Sequence, residues 1–204
     1  DLVRKGMGTD ARIGTQFLFA GIGYGGSCFP KDVVALLNTS NTYGYELQLL
    51  SAAEAVNARQ KQVVAEKIKK HFRGKTKGIT VALWGLSFKP NTDDVREAPS
   101  LSIISALLKA GANVRAHDPV AIEEMKRKIG HTVKYFESNY DALKGADALV
   151  IATEWNDYRR PDFDRMKTLM KQPVIFDGRN IYDPRVMAER GFVYYGIGRN
   201  AVLK

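Results

Sequence analysis

ITVALWGLSFKPNTDDVREAPSLSIISALLKAGANVRAHD, residues 79–118, is the stretch that decides the fold. The apolar run at 79–85 predicts a buried strand, 99–111 predicts a helix stopped by a glycine, and 113–118 predicts a second strand. A strand, a helix and another strand in this order form a parallel pair joined by a crossover. The stretch therefore predicts an α/β fold.

The rest of the C-terminal sequence continues this alternation. Further strands are predicted at 133–136, 146–153, 173–178 and 192–196, and further helices at 120–129, 138–144 and 184–191. Such a pattern predicts a parallel sheet with helices on both faces. Ligands bind such sheets beyond the carboxyl ends of the strands, so we expect a site in the loops there.

Residues 1–77 have a different sequence pattern, which predicts mostly helices. The segment 45–72 has apolar residues at a helical period and no proline or glycine, which predicts one long helix of about 40 Å. Another helix is predicted from Pro30 to a turn at 41–44, and DLVRKGMG at the start resembles a helix end closed by Gly6. We predict a boundary at 77/78 and expect the chain to be part of a longer protein.

The charge balance points to an anionic partner. The formal net charge is +9, which suits a phosphorylated small molecule or a nucleic acid. The basic residues are scattered and not interleaved with aromatics, so a basic nucleic-acid-binding module is the weaker alternative and we expect no nucleic acid.

Several classes of protein and site are not expected. One cysteine cannot form an internal disulfide, so we expect a reduced, cytoplasmic setting. No apolar run reaches the roughly 20 residues of a membrane span, so we expect no membrane segment. His71, His117 and His131 lack a metal-ligand spacing with the cysteine, so we expect no metal.

Three cations follow predicted strands. The loop GLSFKPNTDDVREAP (85–99) lacks the GxGxxG fingerprint, which argues against tight dinucleotide binding at this loop. It holds Lys89 and Arg96, and Arg179 in DGRN follows a later strand at the same edge. These side chains can bind a diphosphate, or pair with nearby carboxylates; the sequence leaves both open.

The lone cysteine lies in GGSCFPKD (25–32), at the end of a loop rich in glycine and aromatic residues. Cys28 precedes a predicted helix start, with Lys31 and Asp32 close by. Helix N-termini and cations favour the nucleophilic thiolate. Free cysteines are also often inert and buried, so the motif alone leaves a catalytic and a structural thiol open.

Three motifs in order carry a family resemblance. GIGYGGSCFPKD (21–32), GLSFKPNTDDVREAPS (85–100) and FDGRN (176–180) resemble signatures of the UDP-glucose/GDP-mannose dehydrogenase family. The resemblance implies a Rossmann-like UDP-binding domain at 78–204 after a helical segment, and an NAD-dependent oxidation of a nucleotide sugar. Ser27 and Phe29 beside the cysteine look most like members that act on UDP-glucose, with GDP-mannose or another nucleotide sugar as the alternative.

The resemblance also implies residue roles. Cys28 is the expected nucleophile, which forms a thiohemiacetal and then a thioester, and Asp32 assists water or proton transfer. Cys28, Lys31 and Arg96 are the expected NAD contacts. The expected substrate contacts are Arg12, Phe19, Gly21, Gly23, Tyr24, Gly25, Phe88, Lys89 and Arg179. The family's N-terminal dinucleotide-binding domain has no counterpart here, so we expect no turnover by this chain alone, and a homodimer through 45–72.

Overall fold

One parallel sheet of six strands organises the chain in the computed structural model, which describes residues 1–203. The strands are β1 (Thr80–Trp84), β2 (Asn113–His117), β3 (Lys134–Tyr135), β4 (Ala148–Ile151), β5 (Val174–Asp177) and β6 (Val193–Tyr195). Their order is β3-β2-β1-β4-β5-β6 and every neighbouring pair is parallel. This is the strand order of the Rossmann fold, so the predicted α/β class is confirmed.

Ten helices are found in the described residues. They are α1 (Leu2–Gly8), α2 (Phe29–Thr42), α3 (Gln48–Gln60), α4 (Val63–His71), α5 (Pro99–Lys109), α6 (Ile122–Ile129), α7 (Asn139–Leu143), α8 (Asn156–Arg159), α9 (Phe163–Leu169) and α10 (Pro184–Glu189). None is long and apolar enough to cross a membrane within the described part of the chain.

Alternating side chains of the strands build two cores, because successive residues of a strand face opposite sides. Val81 and Leu83 of β1 pack on one face with side chains of α4, α5 and α6. Ala82 and Trp84 pack on the other face with side chains of α7, α8, α9 and α10. Helix α4 therefore covers the sheet, although it precedes residue 78.

The single helix predicted at 45–72 is wrong: the structure has α3 and α4 with a turn at Lys61 and Gln62. The amide of Gln62 donates to the carbonyl of Arg59, three residues back, instead of the carbonyl four back. Both turn residues keep right-handed backbone angles, so the helix is interrupted without a helix breaker. Helix α4 packs Val64 and Ile68 on the sheet, whereas α3 bonds the loop at 21–24.

Two smaller corrections concern helix ends and missed helices. The first helix passes the predicted stop at Gly6 and ends at Gly8. Helices α8 and α9 lie where no element was predicted. The carboxylate of Asp162 caps α9 by accepting from the amides of Asp164 and Arg165, a signal that was present in the sequence.

Apolar side chains lie exposed along the first 60 residues. Leu49 is 90% exposed and Val56 52%, so the apolar stripe of α3 has no core to pack on in this chain. Other large exposed apolar side chains are Leu2, Val3, Met7, Ile13, Phe17, Leu18, Phe19, Phe29, Val34, Leu36, Tyr43 and Tyr45. A surface of this composition is typical of one that contacts another protein surface.

Candidate active site

The thiol of Cys28 is exposed at the N-terminal cap of α2. Pro30 in the first turn is buried and anchors the helix start. The carbonyl of Cys28 accepts from the amide of Asp32 at 2.8 Å, so the Asp32 side chain lies one helical turn away. Lys31 Nζ is 3.5 Å from Asp32 Oδ1. A thiol, a carboxylate and a cation thus share a helix end that favours negative charge.

Side chains of α3 hold the loop that leads to Cys28. The amide of Tyr24 donates to Asn57 Oδ1 at 2.8 Å, and Gln60 Nε2 donates to the carbonyl of Gly21 at 2.6 Å. The hydroxyl of Tyr24 donates to Glu54 Oε2 at 2.6 Å. Burial first, and then the hydrogen bond and charge of Glu54, raise the pKa of Tyr24 to about 12. The phenol therefore stays neutral and keeps its donor in the neutral pH range.

The same loop packs against the 85–98 loop, so two of the sequence motifs touch. The amide of Gly26 donates to the carbonyl of Arg96 at 2.8 Å. A Cβ on Gly25 would lie 2.3 Å from the Glu97 carbonyl oxygen, so only glycine fits this approach. Gly26 has φ +94° and would place a Cβ 3.0 Å from the ring of Phe88. These contacts fix the position of Cys28 relative to the sheet.

The cations of the 85–98 loop have different environments. Arg96 pairs with Asp94 through Nε and Nη2, at 2.9 and 2.8 Å, and this lowers the pKa of Asp94. The same hydrogen bond is the largest cause that raises the pKa of Arg96, and the charge of Cys28 is a smaller one. Lys89 is exposed, with Nζ 5.3 Å from the centre of the Phe88 ring. Arg96 therefore has the carboxylate partner that the sequence left open.

Arg179 emerges from a tight turn after β5. Its amide donates to Asp177 Oδ1 at 2.9 Å, and the hydroxyl of Tyr194 donates to Asp177 Oδ2 at 2.9 Å. Burial raises the pKa of Asp177. The guanidinium of Arg179 pairs with Glu154, with Nη2 2.7 Å from Oε1. The turn and the ion pair together direct Arg179 toward the Cys28 loop.

Two clefts meet at Phe19 and Arg179. One has a volume of about 370 Å³ and lies between the Cys28 loop and α3; its lining is Phe19, Gly21, Gly23, Tyr24, Ala53, Val56, Asn57, Gln60 and Arg179. The other, of about 460 Å³, lies between α1 and the turn at 197–199, and Arg4 and Arg199 line it together with Arg179. The structure thus brings Phe19, Gly21, Gly23 and Tyr24 together with Arg179.

Arg12 lies apart from this group. It is exposed, forms a bidentate ion pair with Asp10 and lines neither cleft. The position gives no contact with the predicted site within the described residues of this chain.

The usual phosphate position of the Rossmann fold is filled by the protein itself. Asp118 Oδ2, at the end of β2, accepts from the amides of Leu86 and Ser87 at 2.7 and 3.2 Å. In a dinucleotide-binding fold, amides of the loop after β1 face the ligand's phosphates. The bound carboxylate agrees with the missing glycine fingerprint, so this loop does not offer a dinucleotide cradle.

Sequence reasoning missed four side chains of the site. Glu54, Asn57 and Gln60 are polar residues of a helix, and nothing in their spacing distinguishes them from solvated ones. Glu154 had a signal, because a charged residue just beyond a strand of a parallel sheet lies at the ligand edge. The histidines do not join the site: His117 is buried against Tyr158, and His71 bonds the hydroxyl of Tyr195.

The chain is similar to curated enzymes over nearly its whole length. A UDP-glucose 6-dehydrogenase of Pseudomonas aeruginosa is 54% identical over 97% of this chain and 45% of that enzyme. UDP-glucose 6-dehydrogenase TuaD of Bacillus subtilis is 45% identical over 98% of this chain and 43% of that enzyme. The chain thus spans less than half the length of these curated relatives.

Solved structures and family models agree with these relatives. A UDP-glucose dehydrogenase from Pyrobaculum islandicum superimposes with a TM-score of 0.85 at 33% identity, over 98% of this chain and 43% of that one. Of the UDP-glucose/GDP-mannose dehydrogenase family, the central-domain model matches residues 1–59 and the UDP-binding-domain model matches residues 82–184. With half of its residues in that second match, the chain belongs to the UDP-glucose/GDP-mannose dehydrogenase family.

Proposed function

We propose that this chain is the thiol-bearing and nucleotide-sugar-binding part of an NAD-dependent UDP-glucose 6-dehydrogenase. The observation that carries the proposal is the placement of Cys28. Its thiol is exposed at a helix start, on a loop that α3 and the 85–98 loop hold beside a cleft lined by Arg179. The relatives named as UDP-glucose 6-dehydrogenases support UDP-glucose as the substrate.

We propose that the nucleotide sugar lies along the Cys28 loop. Phe19, Gly21, Gly23 and Tyr24 line the cleft, and Arg179 provides a guanidinium for the diphosphate. Gly25, Phe88 and Lys89 lie where the Cys28 loop meets the 85–98 loop, which is the side toward the sugar.

The proposed chemistry is a four-electron oxidation of C6 from alcohol to carboxylate. When bound, NAD can accept one hydride, so the two hydrides that C6 loses would require two NAD molecules in succession. After the first loss, Cys28 Sγ forms a bond to the aldehyde carbon, and the carbonyl oxygen takes a proton. Loss of the second hydride, together with the hydroxyl proton, leaves a thioester. Water attacks the thioester carbon, so the C–S bond breaks and the carboxylate and thiol are released. Covalent catalysis of this kind divides one difficult step into easier ones.

Asp32 is proposed to handle the protons of this sequence. Its carboxylate lies one turn from Cys28 on the same helix, and it is exposed. A carboxylate at this position can accept a proton from the thiol or from the attacking water.

The residues of this chain fit a contact with NAD but not a complete pocket for it. Lys31 and Arg96 are exposed cations, with 74% and 66% of their side chains accessible. Cations of this kind bind phosphate oxygens. Asp118 occupies the loop after β1, so the larger part of an NAD site has to come from outside residues 1–203.

We also propose a homodimer in which the α3 stripe is covered. Leu49 and Val56 are exposed, and Tyr45 beside them is 67% exposed. A second copy would bury this stripe and bring an exposed Arg12 within reach of a neighbouring site. Two further predictions stand beside these proposals. One is the division into a thiol-bearing segment at 1–77 and a nucleotide domain at 78–204. The other is a reducing, cytoplasmic location, which keeps Cys28 as a thiol.

A substrate panel tests the proposal. The full-length protein, as its complete gene encodes it, is assayed at 340 nm for NADH with UDP-glucose, GDP-mannose and UDP-N-acetylmannosamine. We expect turnover with UDP-glucose well above the others. Turnover only with another nucleotide sugar would replace the substrate, and no turnover with any nucleotide sugar would refute the enzyme function. A monomeric mass by light scattering would contradict the dimer.

A further inference from the structure

Arg179 does not stand free in the cleft. Its Nη2 donates to Glu154 Oε1 at 2.7 Å, and its Nε lies 2.6 Å from Glu154 Oε2. The side chains are 21% and 23% exposed, so solvent screens the pair only in part. Glu154 follows β4 and Arg179 follows β5, which are neighbouring strands, so the pair lies at the carboxyl edge of the sheet.

Glu154 occupies one edge of the guanidinium and leaves the other edge open. The other edge carries Nη1, which lies close to the loop proposed to follow the nucleotide sugar: a Cβ on Gly21 would be 2.9 Å from it. Both clefts are lined by Arg179, so its side chain borders the space available to a ligand. A guanidinium with one edge held keeps its fork geometry for a phosphate and loses less freedom when it binds.

Stability alone does not account for the pair. Glu154 Oε2 is buried, and within residues 1–203 it meets no hydrogen-bond donor apart from its ion-pair contact with Arg179 Nε. An ion pair that is largely shielded from solvent often stabilises a protein no more than apolar residues of the same volume would. A shielded ion pair that adds little stability is expected where a charged side chain has to be held in position for a ligand.

We propose that Glu154 is a positioning residue for phosphate recognition. It holds the guanidinium of Arg179 so that the Nη1 edge faces the diphosphate of a nucleoside-diphosphate sugar. This inference rests on the proposed function and adds a residue that touches no ligand itself.

A double-mutant cycle on the full-length protein tests the inference, with UDP as the titrant in calorimetry. Glu154→Ala is expected to weaken UDP binding by about three- to tenfold, because the arginine side chain must then be ordered on binding. In an Arg179→Ala background the same substitution is expected to have almost no further effect, since the residue it positions is gone. Glu154→Gln, which keeps an acceptor oxygen for Nη2, is expected to bind nearly as well as the unaltered protein.

Further variants separate positioning from folding. Glu154→Met keeps the volume without an oxygen and is expected to behave as Glu154→Ala, so it carries the test where the alanine variant does not fold. Glu189→Ala removes an exposed carboxylate at the end of α10 and is expected to leave UDP binding unchanged. Equal losses in the two backgrounds, unchanged binding, or tighter binding by Glu154→Ala would overturn this inference alone. Absence of UDP binding by the unaltered protein would overturn both proposals.

Discussion

A methyl group added at Gly25 should push the Cys28 loop away from the 85–98 loop. A Cβ there would lie 2.3 Å from the carbonyl oxygen of Glu97, 2.8 Å from its carbonyl carbon and 3.1 Å from Cα of Ala98. Close carbon–oxygen contacts are about 3.3 Å, so the loop has to move by roughly 1 Å. All three neighbours are backbone atoms, and no change of rotamer can relieve the contact. Gly25 does not have a positive φ, so the effect of Gly25→Ala is steric alone.

The expected result is a large loss of activity with a modest loss of stability. The displacement removes the 2.8 Å hydrogen bond from Gly26 to Arg96 and moves Cys28 relative to Arg96. A misplacement of about 1 Å costs roughly 100-fold in rate, which we expect in kcat/KM for UDP-glucose. Overpacking at one site costs about 1–3 kcal/mol in the free energy of unfolding, and the sheet should stay folded.

Steady-state kinetics and thermal unfolding of the full-length protein measure the two effects. The matched control is Gly6→Ala, because Gly6 lies in α1 and a Cβ there has no atom within 4 Å. This control should keep full activity and gain about 0.5–1 kcal/mol, since alanine favours a helix over glycine. If Gly25→Ala kept kcat/KM within about threefold of the unaltered protein, Cys28 placement by the packed loops would be refuted.

Three further predictions follow from the same contacts. Asn57→Ala leaves the amide of Tyr24 without its acceptor and should lower the free energy of unfolding by about 1–3 kcal/mol. We expect kcat/KM to fall as well. An unchanged melting temperature would show that Asn57 does not hold the Cys28 loop. Because the folded pKa of Tyr24 is raised to about 12, its contribution to stability is complete below pH 10 and lost as the pH rises toward 12. Unaltered protein should therefore lose stability more steeply than Tyr24→Phe in chemical unfolding between these values, and parallel curves would contradict this. Burial lowers the pKa of His71, so its contribution to stability is present above its unfolded pKa of about 6.5 and is lost as the pH falls below that value. In chemical unfolding, His71→Phe should therefore lose less stability than the unaltered protein as the pH falls. A loss of the same slope in both proteins would contradict this.

The sequence predicted the features that depend on regular patterns. The strands and helices of 79–118 follow from apolar periodicity and a glycine stop, and the structure confirms the parallel sheet that they imply. The ligand edge of the sheet was predictable in the same way, because polar loops follow buried strands.

Other features depend on contacts between distant residues, which a pattern along the chain does not reveal. The break between α3 and α4 at Lys61 and Gln62 has no proline or glycine, and the two helices have different surroundings: Asn57 of α3 bonds the Cys28 loop, whereas α4 packs on the sheet. Asn57 bonds a loop 33 residues away, yet it looks like any polar residue of a helix. The ion pair of Arg179 required knowledge that β4 and β5 are neighbours, which the sequence order of strands suggests but does not fix.

The most direct test of the central claim is the number of NADH molecules formed per UDP-glucose consumed, measured at 340 nm on the full-length protein and on Cys28→Ala. A four-electron oxidation through a thioester on Cys28 predicts two NADH per sugar, with loss of UDP-glucuronate formation in the variant. Either of two results would contradict this account. One is two NADH per sugar from Cys28→Ala at an undiminished rate. The other is one NADH per sugar from the unaltered protein, with an aldehyde as the product.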